Sequence, residues 1–151
     1  FETKGVSNGV TIIDDYGHHP VEIKAALKAG RMLSGNHKLI AVVQPHRYSR
    51  LADLFADFCS CFNDADEVLV ADIYAAGEAP IDGADKASLV AGLRDHGHKA
   101  AAGLDGPDTL AAEIAARTSQ GDVVMCLGAG DITAWASALP HQLDKLAGES
   151  A

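Results

Sequence analysis

Asp14-Asp15-Tyr16-Gly17-His18-His19-Pro20 is the stretch around which the rest of the chain is arranged. It follows a β-branched run, Val10-Thr11-Ile12-Ile13, and precedes a segment with helical apolar spacing, so it reads as a strand-to-helix turn. Pro20 suits the first helical position, where the missing N–H has no intrahelical partner anyway, and Glu22 suits the positive end of that helix. Two acids, a tyrosine and two imidazoles pack poorly in a core and handle ligands well. One such group would leave a simple capping loop as the better reading; five together favour a site.

Outward from this turn, strand and helix signals alternate. Residues 1–4 alternate like a strand, and Ser7-Asn8-Gly9 is hairpin turn chemistry, which predicts one antiparallel strand at the start. After the turn, Ile23, Ala26, Leu27, Gly30 and Leu33 share a helical face, with Lys24, Lys28 and Arg31 as a solvated stripe. Residues 39–43 are continuously apolar, as in a strand buried on both faces, and Leu51, Leu54, Phe55, Phe58 and Phe62 mark the next helix. The pattern recurs with strands at 68–71, 99–102 and 123–127. Helices carry Leu89, Val90 and Leu93 (ending near Gly97), then Leu110 and Ile114, then Ile132, Trp135 and Leu139. Pro140 is expected to kink or break the last helix, and residues 147–151 to fray.

This alternation predicts an α/β fold: one three-layer, Rossmann-like domain over 1–151, with a mostly parallel sheet of about six strands and one antiparallel N-terminal strand. Ligands of such sheets bind beyond the carboxyl ends of the strands. That edge collects the loops at 14–19, 44–50, 72–78 and 128–131.

Composition narrows the function classes. The 21 acids against 12 Lys and Arg give a formal charge of −9, which leaves no basic surplus for a nucleic-acid backbone. No apolar run approaches the roughly 18 residues of a membrane span. Three cysteines form no framework; Cys59 and Cys61, two apart on a predicted helix, face different ways, and free thiols in a reducing cytoplasm account for them.

His46, Arg47 and Arg50 form a compact cationic group at a predicted helix start. Guanidinium groups bind carboxylate or phosphate in two-pronged fashion, and helix N-terminal amides add to this, so the group reads as an anion site. The competing reading pairs the arginines with Asp53 and Asp57. Asp14 and Asp15 suit ribose hydroxyls or a hydrated Mg2+. A zinc hydrolase built on His18, His19 and His46 is the weaker reading, because adjacent histidines on a turn diverge; no metal ligand is assigned. Gly128-Ala129-Gly130 is half of a dinucleotide fingerprint, on the last strand rather than the first, and reads as a close-approach turn. A phosphate-accepting receiver is a further alternative, with Asp72 as the acid after the third parallel strand, though no lysine follows the last strand.

Asp-Asp-Tyr-Gly-His-His-Pro, Gln-Pro-His-Arg-Tyr-Ser-Arg, Asp-Ile-Tyr-Ala-Ala-Gly-Glu and Leu-Gly-Ala-Gly-Asp-Ile, in that order over nearly the whole chain, resemble the Mur ligases of bacterial peptidoglycan synthesis. The match is best with the C-terminal domain of the L-alanine-adding branch. The murein tripeptide recycling branch differs at Tyr16-Gly17 and over 46–50. The resemblance implies a three-domain cytoplasmic enzyme in which ATP phosphorylates the carboxylate of UDP-N-acetylmuramate and the amine of L-alanine attacks the acyl phosphate. It implies that the phosphate-binding loop, the Mg2+ ligands and the UDP-sugar site lie in N-terminal and central domains, because no G-x-x-x-x-G-K-[ST] is present here. An Arg pair that usually precedes the position of Phe1 is missing, which places the start just inside a domain boundary, and the 151-residue piece alone is expected to be inactive. By the same resemblance Asp15, with Asp14 and Tyr16 beside it, holds the nucleotide ribose, and Tyr16 and His18 line the junction of nucleotide and amino acid. His46, Arg47 and Arg50 engage the L-alanine carboxylate, with Ala129 and Gly130 neighbouring them. His18 is a candidate acceptor of the amine proton, but water or phosphate serves equally, so no base is assigned.

Overall fold

A computed structural model describes residues 1–150. The chain opens with an antiparallel pair, β1 (Glu2–Ser7) and β2 (Val10–Asp15). Asn8 (φ 51°) and Gly9 (φ 79°) make the turn, and positive φ at both central positions matches the twist of a two-residue hairpin. Helices and strands then alternate: α1 (Pro20–Ser34), β3 (Leu39–Val43), α2 (Tyr48–Asp53), α3 (Phe55–Ser60), β4 (Glu67–Val70), α4 (Lys86–Asp95), β5 (Ala101–Gly103), α5 (Pro107–Arg117), β6 (Val123–Leu127) and α6 (Ile132–Ser150).

The sheet order is β1-β2-β6-β3-β4-β5, with every pair beyond β1·β2 parallel. The expected six-stranded, mostly parallel sheet is therefore present. Inserting the last strand between the first two parallel ones overturns the receiver alternative, whose flavodoxin-like order places no late strand there. One core cluster joins α1, α2, α3 and α4 to one face of the sheet through Ile23, Leu27, Leu51, Phe58, Phe62, Leu89 and Leu93. The other joins α5 and α6 to the opposite face through Leu110, Ile114, Ile132, Ala136 and Leu139. Successive residues of β3 and β6 alternate between the two clusters, which is why both strands read as unbroken apolar runs. Among the described residues no helix is long and apolar enough to cross a membrane.

Several local expectations are corrected. Leu33 is 54% exposed and Ser34 is buried in its place, because the inner stripe of α1 runs 23, 26, 27, 30, 34. Arg31 is not simply solvated: it pairs with Asp66 at 2.7 Å and donates to the Asp64 carbonyl. The helix expected over 51–62 is two short ones, because Leu54 (φ −118°, ψ 25°) leaves helical geometry while its N–H still reaches the Arg50 carbonyl. Pro140 lies inside a continuous α6. Its ring packs over Gly5, where a β-carbon would stand 3.0 Å from two ring atoms. Residues 147–150 continue that helix, and residue 151 lies outside the described residues.

The α4 terminus shows how locally the boundaries are determined. Gly97 (φ 94°) donates to the Arg94 carbonyl and His98 to that of Leu93, the paired bonds of a Schellman stop.

Candidate functional site

Asp15 on β2 and Val43 on β3 both stand level with Leu127 on β6, so three strands end together. The chain reaches β3 from β2 through α1 and fills the gap with β6 only at the end, so this edge is where the winding reverses. The turn leaving β6 is pinned from both sides: Gly128 donates to the Asp15 carbonyl, and Gln44 to that of Leu127.

The 14–19 turn divides its polar groups. Asp15 Oδ1 accepts from Gly17 N at 2.9 Å. Asp14, one residue earlier, faces the α6 side with Cys126 as its neighbour in register, and its Oδ1 is buried without a partner. Burial pushes its carboxyl above the usual range, against the pull of Lys4 and Thr133. Asp14 therefore does not share the Asp15 crevice. His19 is the N-cap of α1: its Nδ1 accepts from Val21 N, while Glu22 accepts from the N–H groups of His18 and His19. That cap withdraws His19 from any ligand set, and no group of three metal-ligating side chains exists among the described residues.

His18 stays in the site, oriented by a 3.0 Å contact of Nδ1 with the Tyr16 carbonyl. A row of rings runs along the strand ends. Tyr16 stands edge-on to His18 at 5.5 Å, His18 is 5.7 Å from His46, and His46 stacks on Tyr74 at 5.2 Å and 22°. Tyr16 is 66% exposed, which leaves one ring face open to a ligand. The His46 imidazole is held below its ordinary pKa by burial first, then by Arg50, His18 and Arg47, so it is neutral at neutral pH.

The cationic group sits as expected on this edge, but its anion-binding parts differ. The helix it opens, α2, has only six residues, and its first-turn amide at Ser49 already donates to Glu78. That amide is therefore not free for an anion, which leaves the guanidinium groups as the candidate anion-binding part. Arg50 donates to the His46 carbonyl at 2.9 Å, and Arg47, at φ 71°, is exposed. Neither has a carboxylate within ion-pair distance among the described residues, so they do not neutralise Asp53 or Asp57. The 44–50 and 72–78 loops are laced together: Arg47 N donates to the Tyr74 carbonyl at 2.8 Å and Tyr74 N to that of Pro45 at 2.9 Å.

The 128–131 turn is a close-approach turn. A β-carbon on Gly128 would meet the Gln44 carbonyl at 2.8 Å, and one on Gly130 the Tyr74 ring at 2.7 Å. Ala129 lies between them, half-buried. Gln44, only 4% exposed, uses Oε1 to accept from Ile132 N at the start of α6.

Residues 1–130 match the family described as "Mur ligase, glutamate ligase domain". The chain belongs to this family. It is 60% identical over 150 residues to the UDP-N-acetylmuramate–L-alanine ligase of Rhodospirillum centenum, covering 99% of this chain and 31% of that protein. This Mur ligase domain thus spans about a third of the length of that relative. Its fold matches the murein peptide ligase from Psychrobacter arcticus with a TM-score of 0.74 at 17% identity, covering 95% of this chain and 29% of that one. It also matches the MurF ligase from Thermotoga maritima in complex with ADP, with a TM-score of 0.61 at 20% identity over 97% and 31% of the two chains.

Tyr74, Glu78 and Gln44 are structural parts of the site of this Mur ligase domain that motif reading left without roles. Gln44 directly follows a fully buried strand, and Glu78 follows Ala76 and Gly77, both at positive φ, in a turn that brings it back to α2. Only the folded loops show where they reach.

Proposed function

We propose that the chain is the C-terminal domain of an ATP-dependent amide-bond ligase that adds L-alanine to UDP-N-acetylmuramate in the cytoplasm, during peptidoglycan synthesis. One observation carries the reading: two guanidinium groups without acidic partners share one sheet edge with Asp15, His18 and an exposed Tyr16. The 60% identity to a named L-alanine ligase over 99% of this chain supports reading that edge with those substrates.

The residues suit a nucleotide and an amino acid side by side. The Asp15 carboxylate stands at a strand end where ribose hydroxyls are commonly accepted, and the open face of Tyr16 offers a stacking surface. When bound, ATP supplies a phosphoryl group that activates the muramate carboxyl; Mg2+ is held mainly by N-terminal and central domains outside this chain. This chain binds and orients. Arg47 and Arg50 hold the amino acid's carboxylate. Neutral His46, fixed by Tyr74, adds no further positive charge that would repel the incoming amine. His18, between Tyr16 and His46, is a candidate acceptor of the amine proton, but water or phosphate serves equally, so no base is assigned. The contribution is positioning, which converts a bimolecular encounter into an oriented one.

The murein tripeptide recycling branch shares the fold, but the fold alone does not separate the two. Phosphate release from ATP by the longer protein, with UDP-N-acetylmuramate and a panel of amino acids and the tripeptide, separates them. Release that depends on L-alanine supports the proposal; release driven by the peptide, or by none, overturns it.

A further inference from the structure

The first turn of α2 carries no cap of its own: Arg47 stands at the N-cap with φ 71° and makes no side-chain cap bond. The cap comes from 29 residues further along the chain. Glu78 Oε1 accepts from Ser49 N at 3.0 Å, and Oε2 accepts from Ser49 Oγ at 2.5 Å. Both carboxylate oxygens are thereby spent on one residue of the helix that bears Arg47 and Arg50. Glu78 is brought there by left-handed backbone at Ala76 (φ 52°) and Gly77 (φ 85°) and by a turn in which its own N–H donates to the Ala75 carbonyl. Positive φ at a non-glycine residue costs energy and persists where surrounding structure enforces it.

We infer that Glu78 is a positioning residue for amino-acid capture: it locks the first turn of α2 so that Arg47 and Arg50 meet the amino acid's carboxylate without being neutralised. The inference rests on the substrate reading proposed above. Two geometric facts and one electrostatic one support it. Glu78 is the carboxylate that caps the cationic turn, yet it forms no ion pair with either arginine within 4 Å. Its charge still acts on Arg47 at longer range, and the Ser49 hydrogen bonds hold its carboxyl below the usual range. Finally, the same loop delivers Tyr74 to His46 and its carbonyl to Arg47 N, so one segment fixes both residues from one side. Glu78 itself touches neither reacting atom; it acts through Ser49.

The test uses the longer ligase with Glu78→Ala, Glu78→Gln, Ser49→Ala and the Glu78→Ala/Ser49→Ala double change. Glu78→Ala is expected to raise the KM for L-alanine about tenfold or more, as suits loss of a charge-assisted cap, with the KM values for ATP and the UDP-sugar within about twofold. Glu78→Gln keeps an acceptor for Ser49 N and restores part of the loss. The double change is no worse than Glu78→Ala alone, because both remove one contact. Equal rises in all three KM values, or an unchanged alanine KM, overturn the inference, and so does a double change that multiplies the two single effects. If the wild-type ligase turns over with an amine donor other than L-alanine, the substrate reading falls, and the same split measured with that donor still decides the role of Glu78.

Discussion

Gln44 and Ile132 lie 88 residues apart and share one hydrogen bond: the Gln44 Oε1 accepts from Ile132 N at 3.1 Å. Through it, the end of β3 caps the helix that follows β6, and the turn between them cannot shift without breaking the cap. Gln44→Ala leaves that amide unpaired at a buried site, and is expected to destabilise the chain by about 1–3 kcal/mol in urea unfolding. The same change should loosen the 128–131 turn, read as faster amide exchange at Gly130.

Arg47 holds φ 71° in a chain that otherwise reserves left-handed backbone mostly for glycine. Arg47→Gly relieves that strain and should stabilise the fold by about 1 kcal/mol while weakening amino-acid capture. Opposite signs for stability and alanine KM are the expected result; a loss of stability would show that the Arg47 side chain packs more than it captures.

Burial would by itself raise the Glu67 carboxyl, but hydrogen bonds from Lys38 (2.7 Å) and Arg117 (2.9 Å) more than reverse this, and its pKa is lowered. A carboxyl depressed in the folded state contributes stability that is present above its unfolded pKa and is lost as pH falls through the folded one. Stability should therefore decline on acidification below about pH 4.5, and Glu67→Gln should flatten part of that decline. Acid titrations of the melting temperature test this.

Asp14 has the opposite sign. Burial raises its carboxyl, so its ionised form opposes folding at neutral pH, and the opposition fades as pH falls through the raised folded value. Asp14→Asn is expected to raise the melting temperature at pH 7 and to match the wild type near pH 4. A lower melting temperature at pH 7 would mean that the attraction of Lys4 outweighs burial.

Gly30 on α1 faces Met125 and Leu39, and an added β-carbon would overlap the Met125 Sδ and crowd the Leu39 Cδ1 at 3.3 Å. Gly30→Ala is expected to destabilise by about 1–3 kcal/mol through overpacking, despite the better helix propensity of alanine. Gly148, with open space around it in the last turns of α6, should instead gain about 0.5–1 kcal/mol from the same change.

Much of the fold was legible because the parallel strands announce themselves: residues 39–43 and 123–127 are apolar without a break, and burial on both faces demands it. The hairpin followed from Asn8-Gly9, and the site's edge from the rule that ligands gather at strand carboxyl ends. Sequence periodicity did not resolve the Leu54 jog, because the apolar spacing continues through it, nor the continuity of α6 through Pro140, whose ring packs over Gly5 of a strand far away in sequence. His19 read as site chemistry and folds as a cap, since an imidazole nitrogen accepts from a helix amide as readily as it binds a ligand. Glu78 and Gln44 stand in the quoted motifs but had no role there for one reason: their partners, Ser49 and Ile132, are 29 and 88 residues away.

The most direct test of amino-acid capture by the guanidinium pair is the alanine dependence of phosphate release by the longer ligase with Arg47→Ala and Arg50→Ala combined. The expected result is a rise of about 100-fold or more in the KM for L-alanine, with the ATP and UDP-sugar values little changed, as loss of two charge-assisted contacts requires. An unchanged alanine KM, or a loss shared equally by all three substrates, would contradict the account.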